Sequence, residues 1–148
     1  MESALPSAIS ATPGTKILEH AHRGITTHFT EEVKPVLYAN DILQYRQHVA
    51  GTHIDAKVMK YITELVYETR NNKSIFLGAS PRASVSVLNA SKAMAAMAGR
   101  DFVTPDDIIK VLHPVLCHRI ILTPEKEMEG VTIEEVITEI IQKIEVPR

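Results

Sequence analysis

The sequence predicts an all-α protein, a small helical bundle of about four to five main helices joined by short connections. Of its 148 residues, 45% are hydrophobic but only 5% are aromatic and none is Trp, which favours helices packed through aliphatic side chains. Apolar residues also recur every three to four positions, in segments that helix-capping residues bound. The length suits one ordinary domain with a real core.

The first main helix is predicted to start at a cap on Asn40 or Asp41 and to reach about Val49, and Gly51 ends it. Its apolar side consists of Ile42, Leu43, Tyr45 and Val49. Asp55 is predicted to cap the second helix, which runs to about Arg70. Helical spacing predicts a buried stripe on that helix, formed by Val58, Ile62, Leu65, Val66 and Thr69.

The third helix is predicted from Pro81 to about Ala98, with Ser80 as its N-cap and Gly99 as a left-handed stop. It is rich in alanine, which allows close helix packing. Its predicted core face consists of Val85, Leu88, Met94 and Met97.

Two further helices are predicted towards the end of the chain. The fourth begins at Thr104 and Pro105, where two acids in the first turn favour a helix start. The last opens with the capping box at 132–135. Their predicted core faces are Ile108, Ile109, Leu112, Val115 and Leu116, then Ile133, Val136, Ile137, Ile140, Ile141 and Ile144. Segments 74–77 and 119–123 are predicted to be extended links, and Glu125, Glu127 and Glu129 to lie in a charged loop.

The N-terminal part has no such periodicity. Residues 1–14 are rich in Ser, Ala, Pro, Thr and Gly and predict a disordered lead-in. A short helix at 15–23 and an irregular connector at 24–38 are predicted to follow. The chain is therefore divided into a lead-in and connector at 1–35 and a helical domain at 36–148.

Composition excludes several classes of protein. The formal net charge of -2, with both signs interspersed, argues against general nucleic-acid binding. No apolar run approaches the roughly 18 residues of a membrane span, and the N-terminus lacks the pattern of a secretion signal. A cytoplasmic location is therefore expected, with no membrane and no nucleic acid among the partners.

No metal site or self-contained active site is predicted. His113, Cys117 and His118 stand at helical spacing, but Pro114 disturbs the helix and no carboxylate completes a ligand set, so structural or surface roles are favoured. As the only cysteine, Cys117 also excludes an intrachain disulfide. No nucleophile elbow, catalytic carboxylate pair or HExxH motif is present.

Arg82 falls in the first turn of the third helix, where the helix dipole disfavours a cation by roughly 0.3–1 kcal/mol. One interpretation is a surface arginine whose long side chain leans away from the helix end. The other is an anion site in which the guanidinium joins the free first-turn N–H groups, a combination suited to phosphate oxygens. Position alone leaves both interpretations open.

Four stretches of the chain carry a family resemblance: YITELVYETR at 61–70, LGASPRA at 77–83, AGRDFVTPDDI at 98–108 and VLCHRIIL at 115–122. Taken together and in this order, they resemble the C-terminal lid of MoxR-type AAA+ ATPases. The resemblance covers residues 36–148 and implies the AAA+ lid type of helical bundle. It also implies that Arg82 is the sensor 2 residue, which reaches towards the terminal phosphates of ATP. The cofactor-binding neighbours that it implies are Gly78, Ala79, Ser80 and Pro81.

The resemblance further implies that the lid closes over ATP and Mg²⁺ held by a separate ATPase core, in a chaperone-like or complex-assembly role. Its partners would be that core, neighbouring subunits of a homo-oligomeric ring and proteins with von Willebrand factor A domains. This sequence contains no Walker A, Walker B, sensor 1 or arginine finger, so the chain alone is predicted not to hydrolyse ATP. We expect a truncated gene product, a gene fragment or an expressed piece, with 1–35 as a remnant of the core's end.

Two other functions remain as alternatives. One is a helical protein-interaction module that works without nucleotide, in which an exposed apolar face binds partners. The other is a DNA-binding domain that uses the third helix. That helix carries only two cations, Arg82 and Lys92, which are too few for a phosphate-tracking surface.

Overall fold

A computed structural model describes residues 13–24 and 34–147. The chain forms two compact units, Met1–Tyr38 and Ala39–Arg148. In the first unit, helix α1 spans Pro13–His22, which confirms the short helix predicted for this region. The lead-in predicted for 1–14 and the connector predicted for 24–38 fall largely outside the described residues.

The second unit is mostly helical, which confirms the all-α prediction. Its helices, in chain order, are α2 Ala39–Gly51, α3 Ala56–Asn71, α4 Pro81–Met97, α5 Pro105–Leu116, α6 Pro124–Met128 and α7 Ile133–Lys143. A 3-10 turn at Cys117–Arg119 follows α5. Two short strands, β1 Ile75–Leu77 and β2 Ile121–Leu122, occupy the predicted extended links. The prediction of a charged loop at Glu125–Glu129 is wrong, because Thr123 and Pro124 start the short helix α6 there.

Helix α3 lies at the centre of the core. Asp55 caps it as predicted, because its carboxylate accepts a hydrogen bond of 2.7 Å from the Lys57 N–H. All five residues of the predicted stripe are buried, and Tyr61 is buried beside them. Burying each large aliphatic side chain contributes about 1.5–3 kcal/mol, so this stripe is a main source of stability. Val136, Ile137 and Ile140 of α7 are buried in the same core.

Helix α4 buries a different face from the one predicted. Its buried residues, Ala83, Val87, Ser91 and Ala95, are spaced by four and are small or medium in size. Val85 and Met97 of the predicted face are 54% and 82% exposed. Small side chains let α4 lie close to its neighbours, and the Ser91 hydroxyl is satisfied by a 2.8 Å bond to the Val87 carbonyl. Of the predicted face, Leu88 and Met94 are partly buried against the core, whereas Val85 and Met97 are turned outwards.

Helix α2 covers the region predicted for the first main helix, and most of its apolar side is exposed. None of its residues is buried, and the predicted apolar side chains Ile42, Leu43 and Tyr45 are exposed. A bond of 3.0 Å from Lys92 Nζ to the Ala50 carbonyl joins the end of α2 to α4. The apolar side predicted for α2 is therefore largely exposed, with only Val49 partly buried.

The turn between α4 and α5 is held by an ion pair that the sequence did not predict. Gly99 ends α4 with a φ of 72°, as expected. Arg100 then makes two bonds to Asp107, of 2.9 and 2.6 Å, and its Nη1 also donates to the Phe102 carbonyl. The Asp107 side chain is 2% exposed and accepts two further bonds of 2.9 Å from the Thr104 N–H and hydroxyl. Asp107 therefore both caps α5 and connects α4 to α5.

This pair predicts a loss of stability in acid. The Arg100 guanidinium, and to a lesser extent the Thr104 donors, lower the pKa of Asp107 from 3.8 to about 2 against the effect of burial. Because the folded-state pKa is lower than the unfolded one, the contribution is fully present above about pH 4 and disappears as the pH falls towards 2. Urea unfolding between pH 6 and 2 should show this loss of stability. In Asp107→Asn, the part of the pH dependence that comes from the Asp107 carboxylate should be absent.

The two strands are antiparallel, with Ile75 paired to Leu122 and Leu77 paired to Ile121. An irregularity between Ile75 and Leu77 leaves Phe76 opposite no partner residue. The Thr123 N–H also bonds to the Ser74 carbonyl at 3.0 Å, which extends the pairing by one step. The sheet thus ties the segment before α4 to the segment after α5.

Candidate functional site

Three residues, 78–80, connect β1 to α4, and the first of them touches α3. A Cβ placed on Gly78 would lie 2.5 Å from the Thr69 carbonyl oxygen and 2.7 Å from Arg70 Cγ. The first of these contacts is with backbone, which has no room to move aside. Gly78 is therefore required for close approach of this segment to the C-terminal end of α3.

Ala79 is fully buried and is bonded to the same residue of α3. Its N–H donates a 3.0 Å bond to Thr69 Oγ1, which in turn donates a 2.7 Å bond to the Val66 carbonyl. Thr69 is itself fully buried, so these two bonds satisfy its hydroxyl inside the core. The predicted stripe included Thr69 but not this role. A hydroxyl at a buried helix position was the available signal, because such a group needs a partner.

Ser80 and Pro81 start α4 as predicted, with one difference. Ser80 has the extended backbone of an N-cap, but its hydroxyl makes no capping hydrogen bond. Pro81 has no N–H, and the Ala83 N–H bonds to the Ser80 carbonyl at 2.8 Å. The Ser80 hydroxyl and the Arg82 N–H are thus not used for capping within α4.

Arg82 lies exposed in this first turn. Helix α4 contains no acidic residue, and within the part of the chain that the structure describes no carboxylate forms an ion pair with Arg82. The guanidinium therefore stands at the positive end of a helix dipole without an internal anion. An anion from outside the domain would interact favourably with both the guanidinium and the positive end of the helix dipole.

A small apolar groove begins one turn beyond Arg82. It has a volume of about 160 Å³ and is lined by Met59, Ile62, Thr63, Ser84, Val85 and Leu88 from α3 and α4. Val85 is three residues from Arg82, so both side chains lie on one face of α4. Met59 and Val85 are 43% and 54% exposed. A cationic helix end and an apolar groove are therefore adjacent on one surface.

The residues considered for a metal site do not form one. Burial, followed by the nearby Glu134 carboxylate, raises the pKa of the Cys117 thiol, which disfavours the thiolate that a metal would need. Within residues 13–24 and 34–147, no three His, Cys, Asp or Glu side chains are arranged to hold a metal ion. In the same ranges, no helix combines the length and apolar character of a membrane span.

These features define a helical domain with an exposed arginine at a helix start, and none of the described carboxylates pairs with that arginine. The AAA lid domain family matches residues 67–140, half of the chain. The chain is 36% identical to the uncharacterised Bacillus subtilis (strain 168) protein YeaC over 121 residues, which are 82% of this chain and 38% of YeaC. It is 29% identical to chaperone MoxR1 of Mycobacterium tuberculosis (strain ATCC 25618 / H37Rv), over 79% of this chain and 33% of MoxR1.

A solved structure from Cytophaga hutchinsonii ATCC 33406, described as a candidate ATPase, matches 95% of this chain with a TM-score of 0.73 and 31% identity. The match covers 45% of that structure. This chain belongs to the AAA lid domain family and is a lid-containing region of the MoxR type. It spans about a third of the length of the two curated relatives named above.

Proposed function

We propose that this domain closes over ATP held by a MoxR-type ATPase core and senses the terminal phosphate through Arg82. The observation that carries the proposal is the exposed Arg82 guanidinium at the start of α4, with no ion pair to a described carboxylate. A phosphate placed there would meet a guanidinium fork and the Arg82 N–H together. Loss of the γ-phosphate would remove this contact and release the lid, an electrostatic switch on a hinged element.

The neighbouring residues have separate roles in this proposal. Gly78 and Ala79 position the start of α4, because their contacts are with Thr69 of α3. Pro81 fixes the first helical turn. Ser80 offers a hydroxyl that does not cap α4 and lies two residues from Arg82, so it is the second candidate for a phosphate contact.

The rest of the machinery belongs to the proposed assembly. Mg²⁺ and the groups that activate water would come from the core, as would the arginine finger. The core and neighbouring subunits of a homo-oligomeric ring are the proposed partners, in the cytoplasm. A chaperone-like role, alongside proteins with von Willebrand factor A domains, follows from the resemblance to MoxR-type proteins, one of which is named a chaperone.

A chimera tests the Arg82 proposal. Residues 39–148 would replace the matched region of the Cytophaga protein, and ATP turnover would be measured first in the unmodified chimera. Arg82→Gln should lower kcat/KM for ATP by about 10- to 100-fold, the loss of one or two charge-assisted hydrogen bonds. Arg46→Gln is the matched control, since it removes an exposed arginine from α2 and should leave turnover within about twofold.

Equal turnover in the Arg82→Gln and Arg46→Gln chimeras would contradict the sensor role. In that case the exposed apolar side of α2 and the groove beside Arg82 would favour the nucleotide-independent interaction module. Sedimentation of the 148-residue chain over a wide concentration range separates the two proposals, because an interaction module that binds itself would show concentration-dependent association.

A further inference from the structure

Arg119 is a partly buried arginine without a partner. Its Nε is buried and makes no hydrogen bond, and no ion pair to Arg119 is formed by any residue that the structure describes. Taking a charged group partly out of water without a partner is unfavourable. Two other arginines differ, because partly buried Arg100 pairs with Asp107 and exposed Arg70 stacks on the Tyr67 ring.

The strand register places Arg119 at the same end of the sheet as the start of α4. Leu77 pairs with Ile121 in an antiparallel sheet. Gly78 follows Leu77 and Ile120 precedes Ile121, so the segment that leads into α4 and the segment that contains Arg119 leave the sheet at the same end. Ala79 and Ile120 are both buried in the one hydrophobic core, which fixes the two segments against it.

We propose that Arg119 is a second cationic binding residue for the polyphosphate that Arg82 contacts. This inference rests on the proposed function and adds a residue to it. The triphosphate of a nucleotide carries several negative charges spread over adjacent phosphate groups, and a single guanidinium fork matches only two oxygens at a time. A second arginine at the same end of the sheet supplies further donors, since its terminal Nη groups are not buried and bond to none of the described residues.

The proposal predicts an unusual balance between binding and stability. An arginine with a purely structural role would have an internal acceptor, and its removal would destabilise the fold. Arg119 has none among the described residues, so Arg119→Gln should leave the unfolding temperature unchanged or raise it while weakening anion binding. Such a trade-off between stability and function is common where a site keeps an unfavourable group.

Titration of the 148-residue chain with inorganic tripolyphosphate tests this, with the arginine Nε–H signals followed by NMR. The Nε–H signals of Arg119 and Arg82 should shift saturably and in parallel, and that of Arg46 should not. Arg119→Gln should weaken tripolyphosphate binding about tenfold, as expected for a lost charge-assisted hydrogen bond. Arg119→Lys should recover part of the affinity, and Arg46→Gln should change it by less than about twofold.

The outcomes separate this inference from the proposed function. A shift of the Arg82 signal without a shift at Arg119, together with unchanged affinity in Arg119→Gln, would overturn the role of Arg119 alone. If neither signal shifts, and Arg82→Gln, Arg119→Gln and Arg46→Gln all bind tripolyphosphate with the same affinity, then neither Arg82 nor Arg119 contacts phosphate. That result would contradict both proposals. If Arg119→Gln lowers the unfolding temperature and the Arg119 Nε–H signal does not shift with tripolyphosphate, Arg119 stabilises the fold and does not bind the anion.

Discussion

Replacing Gly78 by alanine is expected to destabilise the second unit by about 2–3 kcal/mol or more, a drop of about 10 °C in the unfolding temperature. The added methyl group would lie 2.5 Å from a backbone oxygen of α3, so either α3 or the start of α4 must move. Thermal unfolding followed by circular dichroism measures the effect. The same movement would displace Arg82, so tripolyphosphate binding should weaken in the variant as well.

Gly51→Ala is the matched control. A Cβ at Gly51 meets no atom within 4 Å, and the residue ends α2 without a positive φ. Because alanine restricts the unfolded chain, this substitution should be neutral or slightly stabilising. If Gly78→Ala behaved like Gly51→Ala, the small side chain at 78 would have no structural role, and its presence would have to be explained by the ligand.

Asp107→Asn is expected to lower the free energy of unfolding by about 2–3 kcal/mol at pH 7. The pKa of Asp107 falls from 3.8 to about 2 on folding, and about 1.36 kcal/mol corresponds to each pKa unit. The amide also places a donor where Arg100 and Thr104 both donate, so the buried network loses acceptors. Urea unfolding at pH 7 measures the change, and the difference from the wild type should shrink as the pH approaches 2.

Asp106→Asn provides the comparison for this variant. It removes the same charge from the same first turn of α5, but Asp106 is exposed and bonds to none of these groups. It should lose the interaction with the helix dipole, about 0.3–1 kcal/mol, together with a weak charge attraction to Arg100 that involves no hydrogen bond. Equal losses in the two variants would show that the helix start alone explains both acids, as the sequence suggested.

The sequence predicted the helices well because their start and stop signals are local. The capping box at 132–135 is present in the structure, with the Thr132 N–H bonded to Glu135 at 2.8 Å. The stripe of α3 was also predicted correctly, since large branched residues at helical spacing have one obvious face. In α4 the same argument was only partly right. Alanine and serine carry little hydropathy signal, so the prediction followed the few larger residues, of which Leu88 and Met94 are partly buried while Val85 and Met97 are exposed.

The candidate site could be predicted only in part. The position of Arg82 at a helix start follows from Ser80 and Pro81 next to it. The reason for Gly78 does not, because its contact is with Thr69, nine residues away on another helix. Arg100 was likewise missed, since its partner Asp107 already had a sufficient explanation in the first turn of α5. Both residues are explained by contacts between different secondary-structure elements, and a local sequence pattern does not reveal such contacts.

The bonds from Ala79 to α3 have a consequence for ligand affinity. They hold the backbone three residues before Arg82 whether or not an anion is present. A disordered loop in this place would lose about 1–2 kcal/mol of conformational entropy for each residue that it fixed on capture. Here that loss has already occurred during folding, and only the torsions of the arginine side chain remain to be restricted.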